Sequence, residues 1–185
     1  QKNPRIFFAN KEIKSPKDMV GMKYRIPNLP IFEKNARAMG ATPVVVAWSE
    51  YPFALMQGVV DGGECSKDSY RSAGLYESAK YVADVDYAYP VEQICFSTQF
   101  WNSLSEEDQK VISDAAAQVA SHHSERTLDK WEEDKEWLIN EGGVTFCDID
   151  RQAFIDAAEP LGKELQDEGF FTTKDLYDQT RQFNK

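Results

Sequence analysis

A long stretch without helix-breaking residues constrains this sequence more than any other feature. Between Ser105 and Gly142 there is neither proline nor glycine, and Ser105 followed by Asp108 forms a capping box that marks a helix start. A helix over about 106–140 would be about 50 Å long, whereas a compact chain of this size has a diameter of roughly 40 Å. We therefore expect one near-continuous helix that protrudes from the main lobe or spans two lobes.

The first third of the chain alternates between strand and helix patterns. Helix starts are predicted at Ser15-Pro16 and at Ser49, and glycines end the helices. The predicted elements are a helix at 15–21, a strand at 22–26, a helix at 31–39, a strand at 43–47, a helix at 49–58 and a strand at 59–61. This order predicts an α/β fold with a mainly parallel sheet covered by helices.

The segments on either side of the long helix are shorter. Asp150 is expected to cap a helix that Pro160 kinks. The predicted elements are strands at 81–89, 91–97 and 144–147, a helix at 150–168, and a last short helix capped by Thr172 or Thr173. A chain of 185 residues with these elements forms one domain, or parts of two.

Composition and charge argue against several classes of protein. Hydrophobic residues make up 42% of the chain and charged residues 28%, which disfavours a disordered, fibrous or repeat protein. The net charge of −10 repels phosphate backbones and anionic lipid surfaces, so we expect neither nucleic acid nor a membrane surface as a partner. A single buried cation could still hold an anionic ligand, because diffuse surface charge is screened by salt.

Metal binding and catalysis find little support in the residues. The three cysteines, Cys65, Cys95 and Cys147, lack the spacing of a zinc site. His122 and His123 are adjacent on a helix, so their rings point about 100° apart and cannot share a metal ion. No histidine is in sequence reach of Cys65 to act as its base. We therefore expect no metal, no cofactor and no catalytic residues.

Three successive strand ends carry residues suited to binding a small anion. Arg25 closes the first predicted strand, Trp48 the second, and Glu64 with Cys65 follows the third. In an open α/β sheet, ligands bind beyond the carboxyl ends of the strands. A guanidinium matches a carboxylate bidentately, and an aromatic face beside it lowers the local dielectric and strengthens the pair. The alternative is structural, with Arg25 in an ion pair at the surface and Trp48 in the core.

Several motifs, in the same order, are shared with a known family. The matching stretches are Arg5, 14–27, 40–43, 48–50, 54–64 and 100–109. The stretch 14–27 is similar to the region around the ligand arginine of TRAP transporter periplasmic solute-binding proteins of the DctP type. The stretch 100–109 resembles the start of that family's long hinge-spanning helix. The likeness covers nearly the whole chain.

The resemblance implies a type II periplasmic-binding-protein architecture, in which two lobes close on a ligand and one long helix crosses the hinge. It implies that Arg25 grips the carboxylate of a small organic acid, with Arg5 as an accessory cation and Trp48 as the aromatic neighbour. Asn28 and Glu64 are weaker candidates at the rim. The protein would be a periplasmic subunit that delivers this acid to the membrane permease of a TRAP transporter.

The sequence departs from the family pattern at two positions of the cleft. The family motif usually ends in Gly-x-Glu-Asn, and the asparagine helps to hold the ligand carboxylate; here Cys65, a weak donor, replaces it. Pro52 replaces a common tyrosine, which leaves Tyr51 or Phe53 to fill the cleft. Tyr70, Tyr87 and Tyr89 could line a cleft, or they could pack in the core or at the rim. These differences prevent the ligand from being inferred from better-known members.

The family's N-terminal lobe is missing from this chain, which begins at Gln1 rather than at a methionine. We expect either that a leader has been removed or that the chain is part of something longer. We assign 1–90 and 143–185 to the C-terminal lobe, and 91–142 to a strand and hinge helix shared with the other lobe. The predicted strand at 91–97 would then lack its neighbour, so we expect this surface to associate with another copy of the chain.

Two other functions stay open at this point. One is a ligand-sensing domain of the same fold, which would serve a signalling partner instead of a transporter. The other is an enzyme built on the same two-lobe plan, which turnover of the bound acid would reveal. The residues do not name the acid.

Overall fold

Six strands and eight helices make up the described part of the chain in a computed structural model. The structure describes residues 3–183, apart from the side chains at 121, 124, 125 and 128; residues 1–2 and 184–185 of the predicted C-terminal lobe lie outside the described residues. The strands are β1 (Arg5–Ala9), β2 (Lys23–Ile26), β3 (Thr42–Val45), β4 (Gly62–Ser66), β5 (Tyr81–Ala83) and β6 (Thr145–Phe146). The helices are α1 (Pro16–Met19), α2 (Pro30–Ala38), α3 (Tyr51–Met56), α4 (Lys67–Ser72), α5 (Thr98–Ser103), α6 (Glu106–Asn140), α7 (Arg151–Asp167) and α8 (Leu176–Arg181). Short 3-10 turns cover Trp48–Glu50 and Leu75–Glu77.

The six strands form one sheet in the order β3-β2-β4-β1-β5-β6. β2 runs parallel to β3 and to β4, and β5 runs parallel to β6. β1 lies between β4 and β5 and is antiparallel to both. Five of the six strands therefore point the same way, which confirms the mainly parallel α/β sheet. β1 is an addition that the alternating sequence pattern does not predict.

Two glycines determine where β4 lies. The prediction of a strand at 59–61 is wrong, because β4 begins at Gly62. A Cβ at Gly62 would lie 2.2 Å from the carbonyl oxygen of Phe8, and a Cβ at Gly63 would lie 2.0 Å from the hydroxyl of Tyr51. Glycine is thus required for β4 to approach its neighbours this closely, a requirement that hydrophobic patterning does not reveal.

Apolar side chains cover both faces of the sheet. Along β1, Ile6 and Phe8 face one side while Phe7 and Ala9 face the other. The first cluster includes residues of α3, α4 and the end of α6: Tyr51, Leu55, Tyr70, Trp131 and Leu138. The second includes residues of α1, α2 and α7: Met19, Ala36 and Phe154. A sheet buried on both faces explains why its strands are rich in apolar residues.

The predicted long helix is confirmed. α6 is one continuous helix of 35 residues, so it is about 52 Å long. Ser105 caps it by accepting a hydrogen bond from the backbone N–H of Asp108 at 3.1 Å. Trp131 and Leu138 are buried near its C-terminal end, but none of the described side chains between 106 and 130 is. Most of α6 thus projects beyond the apolar clusters. No helix in the described part of the chain, α6 included, is long and apolar enough to span a membrane.

The prediction of a strand at 91–97 is wrong. Residues 84–97 have no regular secondary structure, and every residue from 91 to 97 is exposed. Val91 and Ile94 are 80% and 57% exposed. Within residues 3–183 no strand pairs with this segment, and an apolar extended segment joins a sheet only when a neighbouring strand supplies hydrogen bonds. β5 likewise ends at Ala83, short of its predicted end at 89.

The C-terminal helices differ from the predictions in detail. Asp150 caps α7 by accepting a backbone hydrogen bond, as predicted, and α7 continues as one helix through Pro160. Thr172 and Thr173 are not the caps of the last helix, because α8 begins after Asp175. Asp175 has a φ of 56°, in the left-handed region that aspartate tolerates better than most residues.

Candidate functional site

The candidate site lies at one edge of the sheet, where the carboxyl ends of β2 and β4 meet. Arg25 of β2 lies opposite Gly63 of β4. Because β1 runs the other way, its first residue, Arg5, lies at the same edge, opposite Ser66 at the end of β4. Glu64 lies between these two positions on β4. The crevice beyond such strand ends is where open α/β sheets bind ligands.

Arg25 lies beside two aromatic rings at this edge. Its guanidinium carbon is 4.7 Å from the centre of the Tyr51 ring and 5.5 Å from that of Trp48. Its Nε donates to the carbonyl oxygen of Val46 at 3.0 Å. The residue is only 4% exposed, yet no acceptor among the described residues bonds to its two terminal nitrogens. Burial lowers the pKa of Arg25; Tyr51 and the negative charge of Glu64 oppose this shift, and the positive charge of Arg5 adds to it. An arginine stays protonated in proteins.

The alternative in which Arg25 forms an ion pair at the surface and Trp48 lies in the core is not observed. Arg25 forms no ion pair within the described residues, and Trp48 is 45% exposed instead of lying in the core. Tyr51 fills the position beside the guanidinium, whereas Phe53 is 63% exposed. Of the two aromatic residues that could fill the cleft, Tyr51 is therefore the one that contacts the candidate ligand arginine.

Arg5 is held by an acid and a phenol. Its Nε donates to Oε2 of Glu64 in an ion pair, and the hydroxyl of Tyr87 donates to the same oxygen at 2.6 Å. Burial works against the charge of Arg5, but the hydrogen bond and the charge of Glu64 raise its pKa above the usual value. Burial and the nearby Glu64 also raise the pKa of Tyr87, which keeps the phenol protonated. The positive charge of Arg5 is thus balanced within the protein.

An open cleft with a volume of about 450 Å³ lies beside this edge. Arg5 and the exposed indole of Trp48 line it. The hydroxyls of Ser66 and Ser69 also line it, and their oxygens are 2.9 Å apart. The other lining residues are Cys65, Ser72 and Ala73. A guanidinium, an aromatic face and hydroxyl groups together can hold a small polar molecule.

Cys65 and Asn28 occupy different positions. Cys65 lines the cleft but is only 1% exposed. Burial, followed by the negative charge of Glu64, raises the pKa of its thiol well above the usual value, so the thiol stays protonated and is a weak donor. Asn28 lies in the exposed loop after β2, and within the described residues its side chain makes no hydrogen bond to the other predicted site residues.

Two residues of the site, Ser66 and Ser69, were not predicted from the sequence, and Tyr87 was predicted only as one of several tyrosines that could line a cleft. Ser66 and Ser69 are three positions apart at the start of α4, so their side chains lie on one face; this spacing was a usable signal. Tyr87 bonds to Glu64 across 23 positions of the chain. No local pattern reveals that contact, because it depends on how the segment after β5 returns to Arg5.

Comparison with known proteins identifies the family to which this chain belongs. A family model described as bacterial extracellular solute-binding protein, family 7 (DctP), matches residues 2–168. The chain therefore belongs to the DctP family of solute-binding proteins, as the resemblance of its motifs indicates. A solute-binding protein of Roseobacter denitrificans is 34% identical over 158 residues, which are 85% of this chain and 48% of that protein. The chain spans about half the length of the curated relatives it matches.

Solved structures confirm the architecture. A TRAP periplasmic solute-binding protein from Roseobacter denitrificans with bound L-galactonate has a TM-score of 0.85 at 29% identity, covering 100% of this chain and 59% of that chain. One from Shewanella oneidensis with bound succinate has a TM-score of 0.84 at 25% identity, covering 90% of this chain and 56% of that chain. The first ligand has one carboxylate and several hydroxyls, and the second has two carboxylates, so the fold alone does not fix the ligand.

Proposed function

We propose that this chain is the ligand-arginine lobe of a periplasmic solute-binding subunit of a TRAP transporter. The subunit captures a small organic acid through a contact between Arg25 and the acid's carboxylate, and delivers it to the membrane permease subunits. The named relatives are binding proteins for solutes such as sialic acid and C4-dicarboxylates, and this supports capture without chemical conversion.

The state of Arg25 is the observation that carries this proposal. The residue is 4% exposed, and its two terminal nitrogens have no acceptor in the part of the chain that the structure describes. A largely buried cation without an acceptor costs free energy, which an incoming carboxylate would recover by offering two oxygens to the planar fork. The rings of Trp48 and Tyr51 beside it lower the local dielectric and strengthen that contact.

The other predicted residues have supporting roles in this proposal. Trp48 and Arg5 line the cleft and would contact the body of the acid. Glu64 would fix the position of Arg5 through their ion pair. Cys65 would close the cleft wall with a neutral thiol, and Asn28, in the exposed loop after β2, would contact the acid only at the rim.

The test uses the complete gene product that contains this chain. Arg25→Ala should weaken binding of the cognate acid about 100-fold or more, because each charged hydrogen bond contributes about 1.5–3 kcal/mol and every 1.4 kcal/mol is about tenfold in affinity. Arg25→Lys should recover little, because an ammonium cannot reproduce the fork. Calorimetric titration measures both. Arg37→Ala is the matched control, because Arg37 is exposed on α2 and paired with Glu33.

Melting curves without ligand separate binding from folding. Arg25→Ala leaves the carbonyl of Val46 without its donor, so a loss of about 1 kcal/mol in the free energy of unfolding is expected. A much larger loss would favour a structural role for Arg25. If Arg25→Ala binds the acid as tightly as the unchanged protein does, Arg25 is not the ligand arginine. If Arg37→Ala weakens binding as much as Arg25→Ala does, the effect comes from the net charge of the protein.

We also propose that residues 1–90 and 143–185 form one lobe, while 91–142 is shared with a second lobe outside this chain. Phe96, Phe100 and Trp101 form an aromatic group at the surface, with ring centres 5.9 and 5.6 Å from Phe96. An open groove of about 1040 Å³ runs along α6 nearby. A second lobe would cover this surface, and without it two copies of the chain would associate there.

A further inference from the structure

We infer that the cleft selects a hydroxylated monocarboxylate, of the sugar-acid class, over a dicarboxylate. The inference rests on the proposed function, because it concerns the ligand of the same site. It comes from counting which charges at the site are already balanced and which polar groups are left for a ligand.

Of the two arginines at this edge, only Arg25 has a positive charge that no acid of the described residues balances. Arg5 is paired with Glu64, which is 1% exposed. A ligand carboxylate placed at Arg5 would also approach Glu64, and like charges repel strongly where water is excluded. Arg5 therefore offers hydrogen-bond donors to a ligand but little net charge.

Lys67, the next cation along the chain from β4, cannot serve a second carboxylate either. It is 6% exposed, and its Nζ lies 2.8 Å from an oxygen of Asp84 and 2.7 Å from an oxygen of Asp86. Burial opposes its charge, but these two acids raise its pKa. Lys135 also lies 4.0 Å from Asp84, so these two lysines and two acids balance one another within the protein. Among the described residues at this edge, a ligand with one carboxylate matches the one unbalanced cation, Arg25, whereas a second carboxylate has no counterpart there.

Hydroxyl groups take the place of a second cation in the cleft. The hydroxyls of Ser66 and Ser69 bond to each other at 2.9 Å, and each retains capacity for a further hydrogen bond. They line the cleft together with Arg5 and the indole of Trp48. Ligand hydroxyls can pair with these serines and with the guanidinium of Arg5, while the carbon face of a sugar acid lies against the indole. The volume of about 450 Å³ suits a ligand of this size.

The experiment titrates the complete gene product with ligands that separate the contribution of the carboxylate from that of the hydroxyl groups. The sugar acids are galactonate, gluconate and galacturonate; the comparison compounds are succinate, hexanoate and the uncharged galactitol. At least one sugar acid should bind at least about tenfold more tightly than succinate or hexanoate, because it alone uses both Arg25 and the hydroxyls. Ser69→Ala should weaken that sugar acid about fivefold to tenfold and leave hexanoate unchanged. Ser113→Ala is the matched control, since its hydroxyl bonds to a backbone carbonyl on α6.

The outcomes distinguish this inference from the proposed function. Succinate binding as tightly as the best sugar acid and lost in Arg25→Ala would overturn the inference and leave the proposed function standing. Full sugar-acid affinity in both Ser66→Ala and Ser69→Ala would do the same. Galactitol binding as tightly as the acids, or acid binding that survives Arg25→Ala, would overturn the proposed function itself. Failure of all three sugar acids to bind would overturn the inference alone, because the proposed function names no particular acid.

Discussion

The hydroxyl of Tyr51 is buried and has no hydrogen-bond partner among the described residues. The ring of Tyr51 supports the guanidinium of Arg25, and Gly63 lies against its hydroxyl, where a Cβ would be 2.0 Å away. An unpaired buried hydroxyl lowers stability, and the same group requires glycine within β4. Stability does not explain the hydroxyl at this position, whereas the aromatic ring has a clear role in supporting the guanidinium of Arg25.

This arrangement predicts the result of a double-mutant cycle. Tyr51→Phe should leave the free energy of unfolding unchanged or raise it by up to about 1 kcal/mol, because it removes an unpaired polar group. Gly63→Ala should lower it by about 2–4 kcal/mol, because the new methyl group overlaps the hydroxyl. The double variant should recover part of that loss, since the nearest ring carbon would still be 3.0 Å away. Urea unfolding of the four proteins measures the coupling.

Gly62→Ala is the matched comparison for this cycle. A Cβ there would meet the carbonyl oxygen of Phe8 at 2.2 Å, so Tyr51→Phe should give no recovery. Equal recovery at both glycines would show that the hydroxyl is not the source of the clash.

Part of the site could be predicted from the sequence at this scale. Arg25, Trp48 and Glu64 follow from one rule, that ligands bind beyond strand ends. The near burial of Arg25 could not be predicted, because it depends on the contact with Tyr51 and on the alignment of β2 with β3. Side-chain partners such as Tyr87 depend on the same long-range geometry, which spacing along the chain does not contain.

At the scale of elements, charged side chains fix the end of α6 onto α4. Arg71 of α4 donates to Asp134 of α6 at 2.5 Å, and its guanidinium lies 4.0 Å from the centre of the Trp137 ring. Lys130 reaches the same carboxylate at 3.2 Å. Asp134 is 2% exposed, so its buried charge relies on these partners. Because α4 follows β4 directly, α6 is tied to the strand that carries Glu64.

Neutralising Asp134 should loosen this attachment. Asp134→Asn is expected to lower the free energy of unfolding by about 1–3 kcal/mol, because it replaces hydrogen bonds between charged groups with weaker ones. Glu132→Gln removes one charge from an exposed position on the same helix and should change stability by less than about 0.5 kcal/mol. Urea unfolding of both variants provides the measurement. Similar losses in the two variants would indicate an effect of net charge on α6 instead of the contact with Arg71.

The elements differ in how well the sequence predicts them. α6 was predictable in full, because helix hydrogen bonds are local and no breaker interrupts the stretch before Gly142. The segment 91–97 was not, because a strand needs a neighbour and the described residues supply none. β1 was missed for a related reason, since its place between β4 and β5 is a long-range pairing that no helix-strand alternation signals.

At the scale of the whole molecule, buried phenols and one thiol make stability depend on alkaline pH. Burial raises the pKa of Tyr24, Tyr51, Tyr70, Tyr87 and Cys65 above the usual values of 10.0 for tyrosine and 9.0 for cysteine. The folded state therefore keeps protons that the unfolded chain releases near those values. Above them the unfolded state binds fewer protons, so stability falls as the pH rises.

The free energy of unfolding should show this dependence directly. These groups should add no pH dependence below about pH 8.5, and above about pH 9–10 each should lower stability by about 1.4 kcal/mol per pH unit. Denaturant unfolding at a series of pH values measures the slope, and ultraviolet absorbance of the folded protein reports tyrosinate. If every tyrosine of the folded protein ionised near pH 10, the buried positions of these phenols would be contradicted.

The anchorage of α6 has a mechanical consequence. The helix is attached from Thr127, whose carbonyl oxygen accepts a hydrogen bond from Asn3, to the buried Leu138, while residues 106–126 extend about 31 Å beyond that attachment. A rod clamped at one end acts as a lever, so a rotation of about 5° at the clamp displaces the far tip by about 3 Å. That displacement is about the length of one hydrogen bond. A small adjustment of α4 where Ser69 borders the cleft would not disturb the packing of α4 itself. Along α6 the same adjustment would be magnified into a movement at the tip that is large enough to make or break a contact.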